Sequence, residues 1–293
     1  MSTTRTAAKP FVHTLVQDSY GKSLVRLTRI KRSGKHPEWK EITVAIELSG
    51  PEFARSYYEG DNSKIIATDS MKNTVYVEGS KHSLDSIEAF GLHLAEHFLT
   101  KYAHVATAQV SIAEDLWANI PANGAVHPTA FVKAGEDRRL AQVHKTRSST
   151  KIISGLENLN VAKISDSEFS DFLRDEYTTL QNTTDRIFGT KVEALWTYKN
   201  ESCDFNAAFE TVRKVMLATF ANHHSLSAQQ TLLAMGDAAL EAVGDIEEIS
   251  IVLPNLHRIP FDLRPFGLDN RNEVFVNTSE PHGTIRGTIA RKH

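Results

Sequence analysis

From residue 11 to 33, apolar and polar positions largely trade places, as in Ser23-Leu24-Val25-Arg26-Leu27-Thr28-Arg29-Ile30. A period of two predicts strand with one buried face. Trp39 to Leu48 predicts a second strand. Arg32 to Pro37 carries turn residues, so the two strands are expected to form a hairpin. The period then changes. Over Ser83 to Tyr102, Ile87, Phe90, Gly91, Leu94 and Phe98 share one helical stripe, and Ser83 and Ser86 offer N-caps. Strands are expected at His104 to Ile112 and at Ala130 to Val132.

The same order of elements then returns. Strands are expected near Lys151 to Ile153 and Lys191 to Trp196. Helices follow over about Phe205 to Phe220 and Ser227 to Ala242, and strands at Glu248 to Leu253, Glu273 to Val276 and Thr284 to Ile289. Each half reads as strands, helices, strands, with no letter-by-letter repeat. This predicts an α+β chain of two tandem halves, 1–146 and 147–293, with the seam in the polar stretch Lys145 to Thr150.

Composition narrows the classes. Hydrophobic residues make up 41% of the 293, enough for a substantial core. The formal net charge is −3 and basic residues are interspersed with acidic ones, so no nucleic-acid surface is expected. Arg29-Ile30-Lys31-Arg32 reads as one strand's solvent face. Cys203 is the only cysteine, which excludes an intrachain disulfide and fits a reducing compartment. No run of eighteen apolar residues predicts a membrane span. Met1 to Lys9 lacks the apolar stretch of a secretory signal, and the ending Ala290-Arg291-Lys292-His293 is not a Ser-Lys-Leu peroxisomal address. Cytoplasm is the expected compartment.

Three patterns carry candidate chemistry. His93-Leu94-Ala95-Glu96-His97 matches H-x-x-E-H, in which histidines four apart on a helix can share a zinc ion. These histidines flank the apolar stripe, however, and the competing reading is a pair at the core's edge. His223-His224 falls at an interhelix turn and is expected to be solvated. Phe169 stands seventeen residues before Arg186 in a strongly charged segment. A flat apolar face and a planar fork of donors suit a flat, anionic, hydrogen-bonding ring such as a purine. The competing reading packs Phe169 in a core and pairs Arg186 with Asp175 or Glu176. The Thr68-Asp69 pair also reads as a helix N-cap.

Glu168-Phe169-Ser170-Asp171-Phe172-Leu173-Arg174-Asp175-Glu176-Tyr177-Thr178-Thr179-Leu180, ending at Asp185-Arg186, resembles the central signature of the urate oxidase (uricase) family. Ala67-Thr68-Asp69-Ser70-Met71-Lys72-Asn73-Thr74-Val75-Tyr76 and Leu253-Pro254-Asn255-Leu256-His257 resemble the same family in the same order. The similarity runs from roughly Val12 to Arg291.

The resemblance implies two tandem T-fold (tunnelling fold) domains, each an antiparallel sheet with helices on one face. The sheets close into barrels on oligomerisation, and the barrels stack into a homotetramer. It implies cofactor-independent oxidation of urate by O2 and water to 5-hydroxyisourate and hydrogen peroxide, with no metal. It makes Lys22, of Tyr20-Gly21-Lys22, catalytic together with Thr68 and His257 in a proton network. Phe169 would stack on the ring beside Leu180, and Arg186 and Gln229 would clamp it. Ala228 would bind through its backbone, where the family commonly has valine. Thr68 and Asp69 would also bind substrate, and Asn255 would hold oxygen or peroxide. Gln230 competes with Gln229 for the register. Lys22 and Thr68 would come from one subunit and the clamp from its neighbour. A zinc hydrolase at His93, Glu96 and His97, and a non-catalytic purine- or pterin-binding T-fold protein, are the alternatives.

Overall fold

The structure is a computed structural model, and it describes residues 11–32, 37–122 and 124–292. Strand β1 (Tyr20–Lys31) pairs antiparallel with β2 (Glu38–Ser49), from Tyr20 opposite Leu48 to Lys31 opposite Glu38. Most of the turn expected between them, Ser33 to His36, lies outside the described residues, as do Met1 to Lys9 and His293. Residues 11–19 were expected to extend the first strand and form no regular element. Instead Phe11 packs edge-on against Tyr58, 5.9 Å between ring centres.

Helices α1 (Ala54–Glu59), α2 (Thr68–Lys81) and α3 (Ile87–Lys101) follow, then the long strands β3 (Thr107–Ala122) and β4 (Ala125–Thr146). The rest of the chain forms β5 (Thr150–Lys163), β6 (Phe188–Tyr198), α4 (Phe205–Asn222), α5 (Ala228–Ala242), β7 (Ile246–Pro254), β8 (His257–Pro260), β9 (Phe275–Thr278) and β10 (Thr284–Ala290).

Two compact units result. The first takes the described residues up to Glu114, with His127–Thr129 and Ala141–Ile152; the second takes Asp115–Val126, Ala130–Leu140 and the described residues from Ile153 on. In the first, strands run β1-β2-β3-β4; in the second, β3-β4-β5-β6-β7-β10, with β8 and β9 as a separate hairpin.

Alternation builds the first core. Ile42, Val44, Ile46 and Leu48 of β2 are all buried. Met71 and Val75 of α2 and Ile87, Phe90, Leu94 and Phe98 of α3 are buried with them. Each such side chain contributes about 1.5–3 kcal/mol of burial. The predicted stripe of α3 is thus its core face, and Ser86 caps it, accepting a hydrogen bond from the Ala89 N–H at 3.1 Å. In the second unit Trp196, buried on β6, packs on Phe209 of α4 with ring centres 6.2 Å apart. Helix α5 lies close on β10 at Gly236, where an added Cβ would meet Ile289 Cδ1 at 2.6 Å.

Two expectations need correction. The Thr68-Asp69 pair is not an N-cap: Ala67 holds that position without a side-chain bond, and Thr68 is the first helical residue. Strand β4 spans 22 residues rather than Ala130 to Val132. Its charged run hid it, yet the charges are satisfied. Asp137 pairs with Arg213 at 3.0 Å, and Arg139 donates to Asn206 Oδ1 at 2.7 Å and to the Phe205 carbonyl at 3.2 Å.

An arginine directly after the last strand of each strand-helix-strand run closes its last helix in the same way. Arg147 Nη2 donates to the carbonyls of Leu99 (3.0 Å), Tyr102 (3.4 Å) and Val105 (3.3 Å), and also to that of Ala103 (3.1 Å). Arg291 donates to the carbonyls of Leu240, Val243 (2.9 Å) and Ile246 (2.8 Å). Tyr102 and Val243 are the C-caps of α3 and α5, so acceptors sit three before, at, and three after the cap in both cases. Charge and hydrogen bonding both favour a cation at the free carbonyls of a helix end.

Candidate active site

The first unit positions Lys22, Thr68 and Asp69. Lys22 follows Gly21 on β1, and glycine is required there: an added Cβ would stand 1.8 Å from the Ile46 carbonyl oxygen. A register shift after Lys22 is accommodated by Leu24 at φ 57°. Tyr20 ties this strand to the start of α2. Its hydroxyl accepts the Ile66 N–H at 2.8 Å, and its ring meets Phe53 edge-on at 4.9 Å. Tyr20 is two residues before Lys22, and Ile66 two before Thr68, so one bond fixes both approaches. Burial pushes the Tyr20 phenol up. Lys72, bonded to Asp69 at 2.6 Å, holds that carboxyl below its usual range, with a smaller pull from the charge of Lys22. Sequence reasoning missed Tyr20, whose signal was only its place beside Gly21-Lys22.

The second unit gathers the other candidates around the segment between β5 and β6. Phe169 and Thr183 exchange backbone hydrogen bonds at 2.8 and 3.0 Å, and the Arg186 N–H donates to the Ser167 carbonyl at 2.8 Å. This folds the seventeen-residue gap into a hairpin. The Arg186 guanidinium carbon then lies 5.3 Å from the centre of the Phe169 ring. Arg186 is half-buried, makes no ion pair among the described residues, and its Nε is buried without a partner. Burial alone lowers its pKa. The competing pairing with Asp175 does not form, because that carboxylate accepts from Thr178 Oγ1 (2.8 Å) and the Tyr177 N–H (3.0 Å).

Phe169 also has a stacked neighbour. Phe172 lies parallel to it, ring centres 5.0 Å apart at 10°, and the Arg174 guanidinium sits 4.9 Å from the Phe172 centre. Arg174 then donates to the carbonyl of Leu180 at 3.1 Å, so one arginine braces both the ring stack and the exposed Leu180. Phe172 and Arg174 lay inside the quoted signature, but nothing in the sequence separated them from their neighbours.

Helix α5 carries Ala228 and Gln229 in its first turn. Its N-cap Ser227 accepts the Gln230 N–H at 3.1 Å, and Ala228, its first residue, is buried. The Gln230 side chain is engaged locally, accepting the Leu226 N–H at 3.0 Å, whereas Gln229 is exposed. Asn255, just after β7, pairs with Thr190 at the start of β6, four residues past Arg186. The Leu256 N–H donates to the Gly189 carbonyl at 2.9 Å. His257 opens β8 opposite Thr278. Phe169, Arg186, Asn255 and His257 are thereby tied to one end of β6.

The H-x-x-E-H helix is wired otherwise. His93 Nε2 bonds Glu78 Oε2 of α2 at 2.8 Å, and His97 Nδ1 lies 3.9 Å from the same carboxylate. Glu96 turns away to Thr100 and Lys145. Among the described residues no group of three or more His, Cys, Asp or Glu is arranged to hold a metal ion. No helix there is long and apolar enough to cross a membrane.

The uricase family model matches residues 18–144 and 152–286. The chain belongs to the uricase family. It is 39% identical to the uricase of Arthrobacter globiformis, over 95% of this chain and 90% of that one. It is 37% identical to the uricase of Dictyostelium discoideum, over 96% and 98%. The crystal structure of the A. globiformis uricase superposes with a TM-score of 0.91, covering 96% of both chains. Urate oxidase from Bacillus sp. TB-90 superposes at 0.83 with 25% identity, over 94% of this chain and all of that one. The antiparallel α+β architecture is therefore that of uricases.

Proposed function

We propose that this chain oxidises urate with O2 and water, giving 5-hydroxyisourate and hydrogen peroxide. One observation carries the reading: in a uricase-family chain, a half-buried arginine without an ion pair among the described residues stands beside an aromatic ring. That pairing suits a planar anion, and a carboxylate does not compete for it.

Each candidate takes a task. Phe169 and Leu180 form the flat apolar floor. Arg186 presents two parallel N–H donors to one edge of urate, and Gln229, with the backbone at Ala228, meets the other. Thr68 and Asp69 face the ring's remaining edge. Urate loses a proton through the Thr68 hydroxyl, or a water held by it, to the Lys22 amine, and His257 completes the network. The electron-rich ring gives two electrons to O2, which takes two protons and leaves as hydrogen peroxide. Water adds its oxygen to the ring carbon. Asn255 holds oxygen, then peroxide, above the ring, its amide aimed at developing charge.

Each of the two tandem T-fold halves, 1–146 and 147–293, supplies one group of residues. The assembly we propose is a cytoplasmic homotetramer in which Lys22 and Thr68 of one subunit face the clamp of the next. The test is urate-dependent oxygen uptake, with loss of urate absorbance, in strong chelator. Activity under these conditions supports the reading. Loss of activity that zinc restores favours a zinc hydrolase, and urate binding without oxygen uptake favours a purine-binding protein.

A further inference from the structure

Two segments meet behind the candidate clamp. Phe169 and Arg186 come from the β5–β6 segment, and Ala228 and Gln229 from the start of α5. Their seam has a backbone part: the Ser225 N–H donates to the Asp166 carbonyl at 2.9 Å, and the Glu168 N–H to the Ser225 carbonyl at 2.8 Å. Ser225 is fully buried and passes the tie onward, since its hydroxyl bonds the Ser227 carbonyl (3.1 Å) and Thr231 Oγ1 (2.7 Å). The seam also has a side-chain part. His224 Nε2 bonds Glu168 Oε1 at 2.6 Å, with Asp166 Oδ1 3.7 Å from Nδ1.

Glu168 directly precedes Phe169, and His224 directly precedes Ser225. Neighbouring side chains of an extended segment point to opposite sides, so Glu168 reaches away from the face that Phe169 offers. We propose that the Glu168–His224 ion pair is a positioning device for substrate binding: it clips the ring floor to the helix that carries Gln229, and grips most tightly while His224 is protonated. This rests on the clamp reading above.

The surroundings favour the charged imidazole. Glu168 is the chief influence raising the His224 pKa above its ordinary 6.5, and Asp166 adds to it. The other charged groups nearby are His223 on the same turn and Lys163 at the end of β5, whose ammonium donates to the His223 carbonyl. A histidine with a raised pKa keeps its charged pair in full below 6.5 and loses the charge contribution as pH climbs through the raised value, leaving a weaker neutral N–H bond. The clamp should therefore loosen as the solution becomes alkaline.

The experiment measures KM and kcat for urate against pH in the intact enzyme for wild type, His224→Gln, Glu168→Gln and His224→Lys. Substrate ionisation and Lys22 chemistry act on all four alike, so the differences between them carry the answer. Both glutamine variants should raise KM at neutral pH by roughly threefold to tenfold, the scale of one solvent-exposed hydrogen bond, with kcat little changed. Their KM should converge on wild type at alkaline pH. His224→Lys keeps the charge and should hold KM low across the range. If His224→Gln matches wild type at every pH, or if lysine fails to restore KM, the proposal is overturned. Should His224→Gln not fold, Glu168→Gln and His224→Lys decide alone. Arg186→Lys run alongside separates the two readings: unchanged kinetics there would remove the clamp itself, whatever the His224 variants show.

Discussion

Arg186 stands with its guanidinium carbon 5.3 Å from the centre of the Phe169 ring, half-buried and without an ion pair among the described residues. Burying a cation without a partner is costly, so such an arrangement persists when an anion completes it. Lysine would keep the charge and lose the fork. Arg186→Lys is expected to lower kcat/KM by about 10²-fold or more, and Phe169→Leu to act mainly on substrate affinity. Steady-state kinetics with urate decide this, and near wild-type values for Arg186→Lys would remove the clamp.

Tyr20 makes the proton-transfer half of the site testable from a distance. Its hydroxyl holds Ile66, and through it the start of the helix bearing Thr68. Tyr20→Phe keeps the ring contact with Phe53 and removes only that bond. A loss of kcat of roughly threefold to tenfold is expected, the scale of one hydrogen bond, with KM for urate little changed. Unchanged kcat and KM would show that Tyr20 does not serve Thr68.

The paired arginines at the helix ends predict a stability effect separate from catalysis. Replacing Arg147 or Arg291 by methionine keeps the aliphatic stem and strips the helix-end carbonyls, four at Arg147 and three at Arg291, of their guanidinium donor. Each change should cost about 1.5–3 kcal/mol of unfolding free energy measured in urea, and the two should cost similar amounts. Equal stability of variant and wild type would show that water replaces the guanidinium at no cost.

What the sequence made legible follows from where one signal dominates. The α3 stripe and the β2 alternation were readable because one face of each is buried almost without exception. Helix α2 was missed because its pattern is poor: Tyr76 and Val77 are exposed while Glu78 is buried beneath His93. Most of strand β4, beyond Ala130 to Val132, was missed because its buried charges, Asp137 and Arg139, find partners only through tertiary contacts with α4 and the Phe205 carbonyl. In the candidate site, Phe169 and Arg186 were legible as a pair. The stack beneath them, Phe172 and Arg174, was not, because local sequence does not say which ring meets which. For the Gln229 register, the sequence lacked the local fact that favours the proposed choice: the Gln230 side chain is engaged by the Leu226 N–H.

Lys22 and Thr68 lie forty-six residues apart in the first unit, while Phe169, Arg186 and Gln229 lie in the second. If Lys22 and Thr68 act as one proton-transfer unit, their losses are not additive. Lys22→Met and Thr68→Ala should each remove most of kcat, and the double variant should lose little more. The proposal that the two groups meet across subunits has a sharper test. Lys22→Met protein and Arg186→Ala protein should each be nearly inactive. Dissociated together and reassembled, they form mixed tetramers in which some interfaces join an intact Lys22 from one chain to an intact Arg186 from another. Those sites should recover a measurable fraction of wild-type turnover, rising with the share of hybrids seen by native mass spectrometry. Mixed tetramers that assemble yet stay inactive would mean that all the catalytic groups of a site come from one chain.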